Sequence, residues 1–351
     1  MAWRSWVRRI YEWVLPGGER DLRKGREGGH ARRGPVTHVV ILDGTMSSLV
    51  PGCESNAGLT YRLLSEARGT HLSLYYEAGL QWQDWRSTLG VMMGHGINRQ
   101  IRRAYGYLAS RYRPGDQIYL MGYSRGGYAV RSLAGAIDEI GLLLRDAATE
   151  RNVRQAWRHY QCGSSADVVQ AFRDANCHAS VPIQMVGVWD TVKALGLRLP
   201  ILWRFGAGAY AFHSHTLGAP VLRGYQALAL DETRVAYGPV MWQTDATTQA
   251  DVQQVWFRGA HNDIGGHLTG FEAARPLANI PLVWMLERGE DAGLPLPEGW
   301  RERYPCDVGA PSVGTWRGLG WIFLLRRKRI VGVDPSERVH ESVFKSETPP
   351  E

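Results

Sequence analysis

The sequence predicts an α/β fold built on a mostly parallel central sheet with helices on both faces. Three observations predict it: short apolar runs recur along the body, longer amphipathic stretches separate them, and each run stops at a polar or glycine-rich turn. The apolar runs are 36–42, 71–76, 117–121, 183–189 and 252–257, and helical spacing is clearest over 97–112 and 128–144. Sheets of this kind bind ligands beyond the carboxyl ends of their strands, so the residue after each run is expected to carry chemistry.

The first run ends at Asp43-Gly44-Thr45. A loop there can offer a backbone N–H to an oxyanion from Gly44 or Thr45, with Asp43 holding the loop in shape. An aspartate in this place also suits a phosphatase nucleophile or a metal ligand, but a second acid two residues on is missing, because position 45 is threonine. The second run ends at Glu77. The third leads into Gly122-Tyr123-Ser124-Arg125-Gly126, a Gly-x-Ser-x-Gly motif between an apolar strand and a helix-like run. A serine at such a strand-to-helix turn is forced out above the sheet. Gly122 and Gly126 permit the crowded backbone, and the Arg125 N–H and the helix N-terminus face a developing oxyanion.

Serine needs a base, and the base needs an orienting carboxylate, in the chain order Ser, Asp or Glu, His. Asp190 closes the fourth run and His261 follows the fifth, opening the segment HNDIGGH, which its glycines make a turn. Competing bases are His213, His215 and His267, and competing acids are Asp231 and Asp263; none follows an apolar run as cleanly. Asp263 and His267 lack the helical spacing of a metal site, and no metal or other cofactor is expected. The strand and helix rhythm lapses over 145–180 and 197–225, which read as insertions of the kind that form a lid.

Composition narrows the function further. A chain of 351 residues with 44% hydrophobic and 21% charged residues is globular, neither fibrous nor disordered. No segment approaches the roughly 18 apolar residues of a membrane span, the best being 321–325. Cys53, Cys162, Cys177 and Cys306 form no Cys-x-x-Cys pair, so buried free thiols are expected rather than a zinc site or a disulfide scaffold. The net charge of +7 sits at the ends. Residues 1–34 contribute +5, and Arg326, Arg327, Lys328 and Arg329 contribute four more positive charges, which leaves the body slightly acidic and without the basic face that nucleic acid requires.

Four parts are expected: an amphipathic basic helix over 1–15, a linker over 16–35, the main domain over 36–344 and a tail over 345–351. In the first, Trp3, Trp6, Val7, Ile10, Trp13 and Val14 share one helical face opposite Arg4, Arg8 and Arg9. That pattern fits peripheral contact with a membrane surface, packing on the body of the protein, or docking on a partner. It lacks the uninterrupted apolar stretch and small-residue cleavage site of a secretory leader, so the chain is expected to begin in the cytoplasm.

Taken together, the stretches ILDGT, Ser55-Asn56, YYEAG, the block from Gly94 through GYSRGG to DEIGLL, VGVWDTV, ALALDETR, VWFRGAHNDIGG and VHESV occur in an order that resembles one bacterial family. It is the family of uncharacterised alpha/beta hydrolase domains whose best-known members are type VI secretion phospholipase effectors. The resemblance covers about residues 36–344. It implies an alpha/beta hydrolase fold, a triad on Ser124, Asp190 and His261, and lipid ester hydrolysis of phospholipase A type; a housekeeping hydrolase and an effector exported by a type VI system both fit it. Departures fall at Tyr123, Gly127, Met46-Ser47 and the segment after Glu77. The leading expectation is therefore a serine esterase acting on phospholipid or another acyl lipid. A non-lipid ester or thioester hydrolase, and a non-catalytic binding protein of the same fold, are the alternatives.

Overall fold

In the computed structural model the strands form one sheet of seven in the order β2-β1-β3-β4-β5-β6-β7, every pair parallel. The structure describes residues 33–67, 69, 71–79, 95–192, 216–317, 320 and 323–345, and those from Pro35 onward form one compact unit. The strands are β1 (Thr37–Leu42), β2 (Leu72–Glu77), β3 (Gln117–Tyr123), β4 (Met185–Trp189), β5 (Arg223–Ala229), β6 (Asp251–Phe257) and β7 (Glu337–Val339). The helices are α1 (Asn56–Glu66), α2 (His95–Arg111), α3 (Arg125–Ile140), α4 (Glu150–Cys162), α5 (Ala166–Asn176), α6 (His261–Gly265), α7 (Arg275–Asp291) and α8 (Glu341–Lys345). The helix expected over 1–15, nearly all of the linker and residues 346–351 lie outside the described residues, as do His213 and His215.

A central parallel strand is apolar on both sides because helices cover both faces. Alternate side chains divide accordingly. Val40 and Leu42 of β1, Leu120 of β3 and Val188 of β4 join a core with Ile101 and Leu108 of α2, Leu133 and Ile137 of α3, and Trp157 of α4. Val39, Ile41, Met121 and Trp189 face the opposite core with Leu63 and Leu64 of α1 and Leu282 and Met285 of α7. Each fully buried aliphatic side chain contributes on the order of 1.5–3 kcal/mol, which fixes strand register, since a slip of one residue would exchange the two cores.

The structure corrects several expectations. Residues 223–225, placed in the second insertion, begin β5, and residues 197–215 of that insertion lie outside the described residues. Arg223, Gly224 and Gln226 interrupt the apolar run of β5, and the buried Gln226 hydrogen-bonds the Val240 carbonyl instead of marking a surface. The 145–180 segment keeps helical rhythm: α4 is capped by Thr149 and ended by left-handed Gly163, and it buries Val153, Ala156, Trp157 and Tyr160. HNDIGGH contains one turn of helix, α6, rather than a loop alone. Of the four free cysteines, Cys177 is buried and the other three are exposed. Among the described residues, no helix is long and apolar enough to cross a membrane, and no group of three His, Cys, Asp or Glu side chains could hold a metal ion.

Candidate active site

The carboxyl ends of β1, β3, β4 and β6 bring Asp43, Ser124, Asp190 and His261 to one edge of the sheet. Ser124 sits between β3 and α3 with φ 56° and ψ −120°, a backbone conformation costly for a non-glycine residue. The surrounding structure holds it there. A β-carbon on Gly126 would overlap the Leu42 carbonyl, and one on Gly122 would lie 2.6 Å from the Gly126 oxygen. The two glycines of the motif thus let α3 start against the end of β1 and turn the serine side chain off the sheet.

Ser124 Oγ lies 2.9 Å from His261 Nε2, and His261 Nδ1 lies 2.6 Å from Asp190 Oδ2. With the ring proton on Nδ1, the imidazole donates to the carboxylate and accepts from the serine hydroxyl, so one tautomer satisfies both bonds. All three side chains are buried. Burial by itself would raise the Asp190 pKa. The Arg329 charge, with hydrogen bonds from His261 and Arg329, outweighs it and holds this carboxyl well below the usual carboxylate range.

Around this chain the sequence-selected residues take distinct places. Asp43 accepts from the Gly44 amide (2.7 Å), from Ser55 Oγ (2.6 Å) and from Tyr76 Oη (2.7 Å). Burial raises its pKa, and these bonds offset part of the rise. Ser55 also caps α1, so the loop after β1 is tied to that helix and to β2. The Gly44 amide is engaged by Asp43, and Thr45 follows it at the same strand end. Arg125 opens α3 directly after the serine.

Asp263 anchors the segment that carries His261. It accepts from the Ala260 and Val313 amides (2.8 and 2.7 Å) and from Ser312 Oγ (2.5 Å). Asp231 accepts from the Gly259 amide at 2.6 Å and shapes the same approach. The carboxylate on the imidazole is therefore that of Asp190, and the imidazole on Ser124 is that of His261. Burial lowers the pKa of the nearby His267. Glu77 turns away to Tyr75 and Arg103 at the β2 edge of the sheet.

Four features escaped the sequence reading. Arg329 forms an ion pair with Asp190. Glu232 accepts from the His261 amide at 3.2 Å and is itself held by the buried Arg234 guanidinium. Burial would raise the Glu232 pKa, but Arg234 lowers it on balance. The Tyr123 and Tyr237 rings pack on the imidazole, with centroids 5.0 and 4.9 Å away. A signal for Glu232 lay in ALALDETR, at the carboxyl end of a strand that its polar residues concealed.

An all-parallel sheet with a serine at the tight turn from its third strand into a helix places the molecule in the alpha/beta hydrolase class of α/β folds. Residues 37–288 match the family described as the catalytic domain of Tle1-like phospholipase effectors of the type VI secretion system, and the chain belongs to that family. A curated relative, an uncharacterized protein of Saccharomyces cerevisiae, is 25% identical over 208 residues, covering 50% of this chain and 30% of that protein. Among solved structures, the Tle1 effector bound to the VgrG spike of a type VI secretion system is similar at 16% identity and a TM-score of 0.39, over 70% of this chain and 56% of that one. An uncharacterized protein from Pseudomonas aeruginosa is similar at 14% identity and a TM-score of 0.43, over 78% and 49%. The chain thus spans less than a third of the curated relative and about half of each structural one.

Proposed function

We propose that the chain is a serine hydrolase that cleaves carboxylic ester bonds of phospholipids or other acyl lipids through an acyl-enzyme on Ser124. The observation that carries this reading is the hydrogen-bond path from Ser124 Oγ through both nitrogens of His261 to Asp190. In the first half-reaction, Ser124 Oγ attacks the ester carbonyl carbon while its proton passes to His261 Nε2. The tetrahedral oxyanion is met by the Arg125 amide at the start of α3 and by the Thr45 amide. Thr45 suits this better than Gly44, whose N–H already serves Asp43. One such donor is worth roughly 10²–10³ in rate.

His261 then gives its proton to the leaving alcohol, and the carbon–oxygen bond to that alcohol breaks. Water, deprotonated by the same nitrogen, attacks the acyl carbon, the bond to Ser124 Oγ breaks as His261 returns the proton to that oxygen, and the fatty acid is released. Asp190 holds the imidazole in the tautomer both halves need. A lipid substrate is supported by membership of the phospholipase effector family. The sequence spacing of Trp3, Trp6, Ile10 and Trp13 among Arg4, Arg8 and Arg9 supports peripheral contact with a bilayer.

The test is labelling with a fluorophosphonate, followed by mapping of the adduct and by mass analysis of products from phospholipid vesicles. The expected result is an adduct on Ser124 that Ser124→Ala lacks, with fatty acid and lysophospholipid released. Folded protein that neither labels nor releases fatty acid would overturn the reading.

A further inference from the structure

Both oxygens of the Asp190 carboxylate are doubly engaged. Oδ2 accepts from His261 Nδ1 at 2.6 Å and from Arg329 Nη2 at 2.9 Å. Oδ1 accepts from Arg329 Nη1 at 2.5 Å and from the Ala229 amide at 3.0 Å. The same two Arg329 nitrogens donate to the Ala229 and Tyr237 carbonyls at 2.8 and 2.6 Å. The Arg329 side chain is 5% exposed and Asp190 is fully buried. Such a planar fork fixes a carboxylate in rotation as well as in charge, which a lysine cannot do.

Arg329 comes from a segment beyond the family-matched residues, and that segment is firmly held. The Arg327 amide donates to the Thr233 carbonyl at 2.7 Å, and the Val235 amide donates to the Leu325 carbonyl at 3.0 Å. The Arg326 guanidinium caps the Phe323 and Gly320 carbonyls. Farther on, Glu337 gathers the Gly332, Val333 and Asp334 amides, and β7 joins the sheet beside β6.

We propose that Arg329 is a positioning residue of the site: its fork, delivered by the 323–333 segment, sets the plane of the Asp190 carboxylate so that Oδ2 faces His261 Nδ1. The assignment rests on the triad reading above. Its electrostatic logic is direct. A buried carboxylate facing a neutral imidazole tends to take up a proton and so lose the tautomer it enforces, whereas a guanidinium in contact keeps it ionised. The charged and titratable groups around the pair are His261 on α6, Arg329 on the 323–333 segment, Tyr123 beside the serine, Tyr237 against the imidazole, His267 beyond α6, and the mutually paired Glu232 and Arg234.

The experiment compares wild type, R329M and R329K in the full chain, with folding checked by thermal melts. It reads the rate of Ser124 labelling, and kcat and KM on a soluble ester, from pH 5 to 9. R329M is expected to lose about 10²-fold or more in labelling rate and kcat with KM little changed. Its acid limb should move up by about one pH unit, because removing a cation makes the Asp190–His261 pair easier to protonate. R329K keeps the charge, so its acid limb stays in place while the rate falls about tenfold.

In a D190N background the R329M effect should largely disappear, as it would not for an arginine that merely supports the fold. Wild-type rates and an unchanged pH profile in folded R329M would overturn the assignment. If R329M does not fold, R329K at the full wild-type rate overturns it. Absence of Ser124 labelling in wild type would instead overturn the triad reading on which it rests.

Discussion

The Tyr123 ring lies 5.0 Å from the His261 imidazole at an interplanar angle of 31°, and its hydroxyl donates to the His261 carbonyl at 3.4 Å. The residue before the serine therefore supports the histidine that the serine contacts. Gly265, at the end of α6, lies against the far edge of the same ring, where any β-carbon would overlap it.

Gly265→Ala should accordingly displace Tyr123 or α6. Overpacking of this kind costs about 1–3 kcal/mol, and the His261–Ser124 distance has little tolerance. Urea unfolding should show the loss of stability, and Ser124 labelling should slow by at least about tenfold. Wild-type labelling would mean that α6 relaxes without moving the imidazole.

The strained backbone at Ser124 makes a prediction about stability alone. Ser124→Gly and Ser124→Ala should both abolish labelling. Glycine adopts φ 56° with ψ −120° freely, whereas alanine, like serine, adopts it only under strain. The glycine variant should be the more stable of the two by about 1 kcal/mol, since relief of strain exceeds the added freedom of the unfolded chain. Equal unfolding midpoints would remove the strain argument.

Asp190→Asn should lower kcat by about 10⁴ through the wrong imidazole tautomer. It also leaves the buried Arg329 without its counter-charge, at a cost of about 3–5 kcal/mol. The pH dependence has a definite sign. The Asp190 pKa is depressed on folding, so its stabilisation is present above the unfolded value of about 3.9 and is lost as pH falls through the folded value. Wild type should lose this contribution only below about pH 4, and the variant should show a flatter acid dependence there in urea titrations. A parallel acid dependence in the two proteins would contradict the ion pair.

Arg234→Met should act one step farther out. It strips the buried Glu232 of its partner, with a destabilisation of about 3–5 kcal/mol. It also removes the guanidinium that lies 3.9 Å over the Tyr237 ring, which packs edge-on against His261. Adding Glu232→Gln should restore a large part of the stability, because the orphaned charge is gone. A double variant no more stable than Arg234→Met would place the cost elsewhere.

The strands that carry Asp43, Ser124 and Asp190 were legible because each is a largely apolar run that stops at a polar residue, and β6, despite Gln253 and Gln254, was legible from its apolar end Val255-Trp256-Phe257 ahead of His261. β5 was not, because Gln226 and Gly224 break the run and its polar side chain finds partners only through the tertiary fold. β7 is three residues long, below any periodic signal. Arg329 stands in the run RRKR, where nothing local separates it from Arg327 or Lys328. Its partner is 139 residues away, so only folding gives that arginine its meaning. Asp231 and Asp263 have the chemistry of a triad acid, yet both accept from backbone amides around α6; what distinguishes Asp190 is which atoms each carboxylate reaches.

Gly79, just past β2, presses on the peptide between Gly44 and Thr45, so closely that a β-carbon there would overlap the Gly44 carbonyl. The turns leaving the first and second strands therefore meet backbone to backbone, with no side chain as a cushion. Neither turn can be lengthened, swapped or given a side chain at this contact in isolation. A redesign that grafts a new β2 loop to change substrate preference must bring a matching β1 loop with it, because the backbone of one turn is seated directly on that of the other.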